Sequence, residues 1–132
     1  MSQVGKQPSG PCYDLDQFQA EVRAGNFHVY KTRALDVIRS VRQCGRARAV
    51  EYAKQAVLSL TPGDYAHTLK MPNGQVHDVY GKLIDAEGWY VKIEIHMYDG
   101  QPGIVSCHPA EHDLHTQNGV IPRSRKGFHD EL

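Results

Sequence analysis

No run of about 18 apolar residues occurs anywhere in the 132-residue chain, which excludes a hydrophobic membrane-spanning helix. Met1 to Gly10 carries one lysine and no apolar stretch, so a secretory leader is not expected and the cytoplasm is the expected compartment. Cysteine is scarce. Cys12, Cys44 and Cys107 are odd in number and lack Cys-x-x-Cys spacing, which argues against a disulfide framework and a four-cysteine zinc site and for reduced thiols. Neither sign of charge prevails, with 15 basic and 15 acidic residues, so the chain as a whole has no electrostatic pull on nucleic acid. No internal repeat is visible. Hydrophobic residues at 40% and charged residues at 23% are ordinary globular usage, and this length supports one core.

The charge is unevenly placed. Between Glu21 and Lys54 eight basic residues (Arg23, Lys31, Arg33, Arg39, Arg42, Arg46, Arg48, Lys54) face three acids (Glu21, Asp36, Glu51). Such a stretch is either a solvated helical face or a surface for RNA or a partner.

Residues 1–12, rich in Gly, Pro, Ser and Gln, read as a flexible arm. Asp14 with Gln17 resembles a capping box opening a helix that carries Leu15, Phe18 and Val22 and ends at Gly25 and Asn26. Phe27 to Tyr30 is short and β-prone. Thr32 then caps an expected helix with Leu35, Ile38 and Val41 on one side, and Ala47 to Leu60 forms a third, stopped by Pro62 and Gly63. From Asp64 the period changes to alternation. Strands are expected at Tyr65 to Met71 and Val76 to Ile84 around Pro72-Asn73-Gly74, then from Trp89 after a turn at Asp85 to Gly88, then at Ile104 to Cys107. Trp89, Val91, Ile93, Ile95 and Met97 alternate with Tyr90, Lys92, Glu94, His96 and Tyr98, giving one apolar and one polar face. The expected fold is α+β, with N-terminal helices packed on a four-stranded antiparallel sheet.

The polar face is the place to seek chemistry, because its side chains ride on rigid strands and need not fill the core. His67, His77, Tyr90, Lys92, Glu94 and His108 are its candidates, although the register that would unite them is not fixed by sequence.

The segments Tyr13-Asp14-Leu15, Leu60-Thr61-Pro62-Gly63-Asp64-Tyr65, His77-Asp78-Val79-Tyr80, Trp89-Tyr90-Val91-Lys92 and Val105-Ser106 stand in the order and spacing of the MqsR toxin family, which the chain resembles from about Tyr13 to His108. The resemblance implies a RelE-like fold; the domain is read as spanning 13–115, with 116–132 as a C-terminal tail. It also implies ribosome-independent, sequence-selective cleavage of single-stranded mRNA without a cofactor, and neutralisation by a cognate antitoxin protein. Carried over by position, the family lysine after Asp-Phe-Tyr falls on His67 and the glutamine before Asp-Val-Tyr on His77. The tyrosine of Tyr-x-Lys falls on Tyr90, and the lysine after Ser-Phe on His108. Three of these four positions depart from the family residue, each to histidine.

Those departures suit the reaction. Attack by a ribose 2′-hydroxyl needs a base for its proton, an acid for the leaving 5′-oxygen, and positive charge on the phosphate. Imidazole, with an ordinary pKa of about 6.5, serves as either near neutrality. His77 or His67 is assigned as base and His108 as acid, with Lys92 and Tyr90 as phosphate and transition-state donors; the base and acid labels are interchangeable at this stage. Against each histidine stands the plainer reading of a solvated strand residue, since the chain has eight.

Two rivals remain open. His108-Pro109-Ala110-Glu111-His112 spells H-x-x-E-H, with His115 beyond it, which on a helix would suggest a zinc hydrolase. The other is a non-catalytic module that binds RNA or a partner through its basic helices. The cluster Arg123, Arg125 and Lys126 reads either as further phosphate contacts or as a frayed charged end.

Overall fold

Helix α1, Leu15–Arg23, starts where the sequence places it: the Asp14 carboxylate accepts from the Gln17 N–H at 3.0 Å, and Leu15, Phe18 and Val22 point into the core. The computed structural model describes residues 10–124. The second helix differs from expectation. Lys31–Leu35 winds as a π-helical turn before the α-helix α2, Asp36–Arg42, and the cap position falls on Tyr30 with no side-chain hydrogen bond, so Thr32 does not cap. Helix α2 stops at Gln43, which turns left-handed (φ 50°), and α3, Arg46–Leu58, follows. Its alanines Ala49, Ala53 and Ala56 are buried beside Val57, and their small side chains bring the helix close to its neighbours.

The strands are β1 (His28–Val29), β2 (Tyr65–Lys70), β3 (Val76–Ile84), β4 (Glu87–Ile95), β5 (Pro102–Pro109), β6 (Leu114–Thr116) and β7 (Gly119–Ile121). The fold is α+β, but the main sheet has five strands and is mixed, in the order β1-β5-β4-β3-β2. The four-stranded antiparallel expectation missed β1, which is only two residues long and pairs parallel to β5 through His28 with Gly103 and Val29 with Ile104. Between β3 and β4 the turn is tighter than expected. Asp85 and Ala86 are both left-handed (φ 53° and 66°) and Ile84 pairs with Glu87, a two-residue hairpin whose twist matches its strands.

Two bulges decide which side chains share a face. On β2, Tyr65 pairs with Tyr80 and His67 with Val79, so Ala66 is extra and His67 lies on the face opposite Tyr65. On β5, Ser106 pairs with Lys92 and Ile104 with Ile93, so Val105 is extra; Ile104 and Cys107, odd-spaced in sequence, both face the core. The core face holds Tyr65, Tyr80, Trp89, Val91, Ile93, Ile104 and Cys107 against Phe18, Val22, Ile38, Ala53 and Val57 of the helices. Asp78, also on this side, is fully buried and accepts the N–H groups of Cys12 and Tyr13 at 3.0 and 2.8 Å and the Thr68 hydroxyl at 2.6 Å, tying down the end of the arm. Residues 1–9 of that arm lie outside the described residues.

The opposite face is partly roofed. The β6–β7 hairpin lies over its Gly81 and Gly88 end: a Cβ on Gly81 would come within 2.8 Å of Leu114, and one on Gly88 within 2.2 Å of the Pro122 carbonyl oxygen. Folded structure therefore continues past the expected tail boundary at 116. It runs to Ser124, which is buried and donates to Glu87 at 2.7 Å. Arg125 and Lys126 of the C-terminal basic cluster lie outside the described residues. Among the described residues no helix is long and apolar enough to cross a membrane.

Candidate active site

Residues paired across antiparallel strands point to the same side, so the register assembles the face opposite the helices in rows. One row runs His67, Val79, Lys92, Ser106, a second Gly81, Tyr90, His108, and a third ends on His77 and Glu94. All five residues singled out for catalysis, His67, His77, Tyr90, Lys92 and His108, thus share one face. They do not form one contact cluster. With strands about 4.8 Å apart and a rise of about 3.3 Å per residue, the backbones of His77 and His108 stand on the order of 16 Å apart. A base and an acid acting on one phosphodiester must sit closer, so the pairing of His77 with His108 does not fit.

The first cluster surrounds His108. Its ring is 1% exposed and stacks on Tyr90 with centroids 4.9 Å apart and planes 11° from parallel. Arg33 Nη2 lies 2.9 Å from Nε2 and 3.2 Å from the Glu111 carboxylate, and His108 Nδ1 lies 2.8 Å from the Pro109 carbonyl. A guanidinium only donates, so Nε2 carries the lone pair; a carbonyl only accepts, so Nδ1 carries the proton. The imidazole is therefore neutral. Burial, with help from the Arg33 charge, lowers its pKa to about 4, and the Pro109 carbonyl only partly opposes this. A group neutral at pH 7 is suited to take a proton rather than to give one.

The second cluster surrounds Glu94, which is 2% exposed. Its carboxylate accepts from His77 Nε2 at 3.0 Å and from the Tyr30 hydroxyl. His77 Nδ1 is buried and has no hydrogen-bond partner, which is tolerable for a lone pair and costly for an N–H. The neutral ring fits this arrangement, and burial followed by the nearby Lys92 charge lowers the His77 pKa despite the carboxylate. Glu94 lies between two depressions at this end of the sheet. One is lined by Tyr30, Met71, Gln75 and His96 (440 Å³), the other by His28, Tyr30, Asp99 and Gln101 (290 Å³).

Lys92 lies between the clusters, and its charge is felt by both His77 and His108. Burial, and then Arg33, lowers its own pKa below the ordinary 10.5, moving the ammonium toward the range of a useful acid. Burial raises the Tyr90 pKa, so that hydroxyl remains a donor.

Sequence reasoning missed the roles of Arg33 and Tyr30. Arg33 was one of eight basic residues with nothing to separate it from the rest; only the π-helical turn and the packing of that turn on β5 bring it over the sheet edge. Its neighbours go elsewhere: Lys31 pairs with Asp36 at 2.8 Å, and Arg42 lies over the rings of Tyr52 and Trp89 at 4.8 and 5.1 Å. The H-x-x-E-H pattern runs off the end of β5 into a bend with no helix to align its histidines. Among the described residues no three His, Cys, Asp or Glu side chains gather as metal ligands. Comparison with protein-family models and with curated proteins returned no match.

Proposed function

We propose that the chain is a metal-independent endoribonuclease of RelE-like fold that cuts single-stranded mRNA in the cytoplasm, the toxin of a pair whose antitoxin is a separate protein. The observation that carries the catalytic part is the neutral His108, stacked on Tyr90 and flanked by Arg33 and Lys92 on the face away from the helices. The toxin class rests on the resemblance to the MqsR family. In the reaction His108 takes the proton of the ribose 2′-hydroxyl, and the 2′-oxygen bonds to phosphorus. The bond to the 5′-oxygen then breaks, and Lys92 delivers a proton to that oxygen. The products are a 2′,3′-cyclic phosphate and a 5′-hydroxyl. Arg33 and the Tyr90 hydroxyl stabilise charge on the pentavalent phosphate. His67, two strands from Lys92, lies where the next stretch of RNA backbone would run, and His77 orders the sheet through Glu94.

Purified protein is expected to cut RNA in EDTA and to leave cyclic-phosphate ends. A 2′-deoxy substitution at the scissile nucleotide is expected to stop it. Products ending in 5′-phosphate, loss of cutting on chelation, or efficient cutting of DNA would overturn the reading. A second reading is favoured by the burial of His77 and His108: the histidines are a polar support beneath a non-catalytic surface that binds RNA or a partner. Under it, His108→Asn lowers stability and leaves no cleavage activity to lose.

A further inference from the structure

The cleavage scheme uses Arg33 to stabilise charge on the phosphate, but its resting contact, on the lone pair of the base itself, is one that the scheme does not require. Arg33 stands in the π-helical turn Lys31–Leu35, a geometry that recurs at functional sites. One nitrogen, Nη2, serves both His108 Nε2 and Glu111, so the lone pair that must accept a proton is covered by a donor whose position Glu111 helps to set. The Arg33 side chain is 45% exposed and that of Glu111 23%, so water screens the pair and holds it weakly. A phosphodiester offers the same guanidinium a planar pair of oxygens that it binds through two parallel N–H groups. Lys92, whose charge acts on the same imidazole, adds attraction for an anion that Glu111 lacks.

We propose that the Arg33–Glu111 pair is a phosphate-operated latch: an RNA phosphate displaces the Glu111 carboxylate, the guanidinium turns to the phosphate, and Nε2 of His108 is uncovered only when substrate is seated. The idea rests on the ribonuclease reading for its purpose, though not for its test. Around the ring stand Arg33, Glu111 and Lys92 as charges, Tyr90 as the stacked phenol and the Pro109 carbonyl as the fixed acceptor.

The test follows the His108 ring nitrogens by long-range ¹H–¹⁵N NMR while inorganic phosphate, and then a 2′-deoxy oligonucleotide that cannot be cut, is added to the full-length protein. The expected result is a shift of Nε2 on saturation and a protonation midpoint that rises above about 4 as the Arg33 charge is neutralised, while burial still holds it below the ordinary value. Glu111→Gln should bind phosphate about twofold to fivefold more tightly, matching the loss of a half-exposed pair. Arg33→Gln should abolish the response, and Arg33→Lys, which keeps the charge without the fork, should retain part of it. Unchanged His108 signals at saturating phosphate, or Arg33→Gln and Glu111→Gln proteins that titrate like wild type, would overturn the latch. A protein that gives the full Arg33-dependent response but never cuts RNA keeps the latch and loses the ribonuclease. If RNA is cut with cyclic-phosphate ends but the His108 signals do not respond to phosphate, the ribonuclease stands and the latch falls.

Discussion

His108 and His77 project from the same face of one sheet, both buried and both neutral, yet the first is held by a cation and the second by a carboxylate. At His108 the charged neighbour is half exposed and able to move, and the ring stacks on a partly exposed tyrosine. At His77 the partner is an almost fully buried glutamate that is also fixed by Tyr30, and the free ring nitrogen is sealed from solvent. On the proposed function, the difference separates a histidine that would exchange a proton with a ligand from one that satisfies a buried carboxylate. Residue type and face are the same in both; the partner and its exposure are what differ.

The largest expected effect breaks the comparison on activity. His108→Ala should lower kcat/KM for RNA by about 10² to 10⁴, the usual range for a general base, while His77→Ala stays within about tenfold. Equal losses in single-turnover cleavage would erase the distinction. Stability should rank the other way at neutral pH: removing His77 leaves a buried carboxylate short of a donor and should cost about 3 kcal/mol in denaturant unfolding.

The pH dependence sharpens the same contrast. His108 is protonated near pH 6.5 in the unfolded chain but only near 4 in the folded protein, so the unfolded state binds the extra proton between those values. Its stabilising contribution, on the order of 3 kcal/mol, is full above about pH 6.5 and is lost as pH falls toward 4. His108→Asn should flatten that part of the stability profile. In catalysis the acid limb of kcat/KM should lie near pH 4, and the alkaline limb should follow Lys92 below its ordinary 10.5. An acid limb near 6.5 would return the base role to a solvated histidine. The smallest effect is that of Tyr30→Phe, which removes one hydrogen bond to Glu94. It should cost about 1 kcal/mol of stability and leave cleavage within about twofold.

Much of the frame was readable before any coordinates. Asp14 capping α1, the alternation of Trp89, Val91, Ile93 and Ile95, and the turn at Pro72 to Gly74 are local signals that a short window contains. Strand β1 was not readable as part of the sheet, since two residues carry no period and their pairing with Gly103 and Ile104 spans more than seventy positions. The H-x-x-E-H pattern misled for the complementary reason: spacing has meaning only on the element that bears it, and here that element is a strand end.

The sequence by itself determined the class of fold, the apolar side of β4, and the short set of imidazole, phenol and ammonium groups on the other side, because periodicity and residue chemistry are local properties. Tertiary structure decided the rest. The extra residues Ala66 and Val105 let His67 and His108 share a face with Lys92 while Tyr65, Ile104 and Cys107 stay in the core, and no two-residue period encodes such a flip. The π-helical turn carries Arg33 across the sheet edge to His108. Protonation state was settled last, because it depends on which donors and acceptors face each ring nitrogen and on how much water is excluded from them, and both are set only when segments distant in sequence close together.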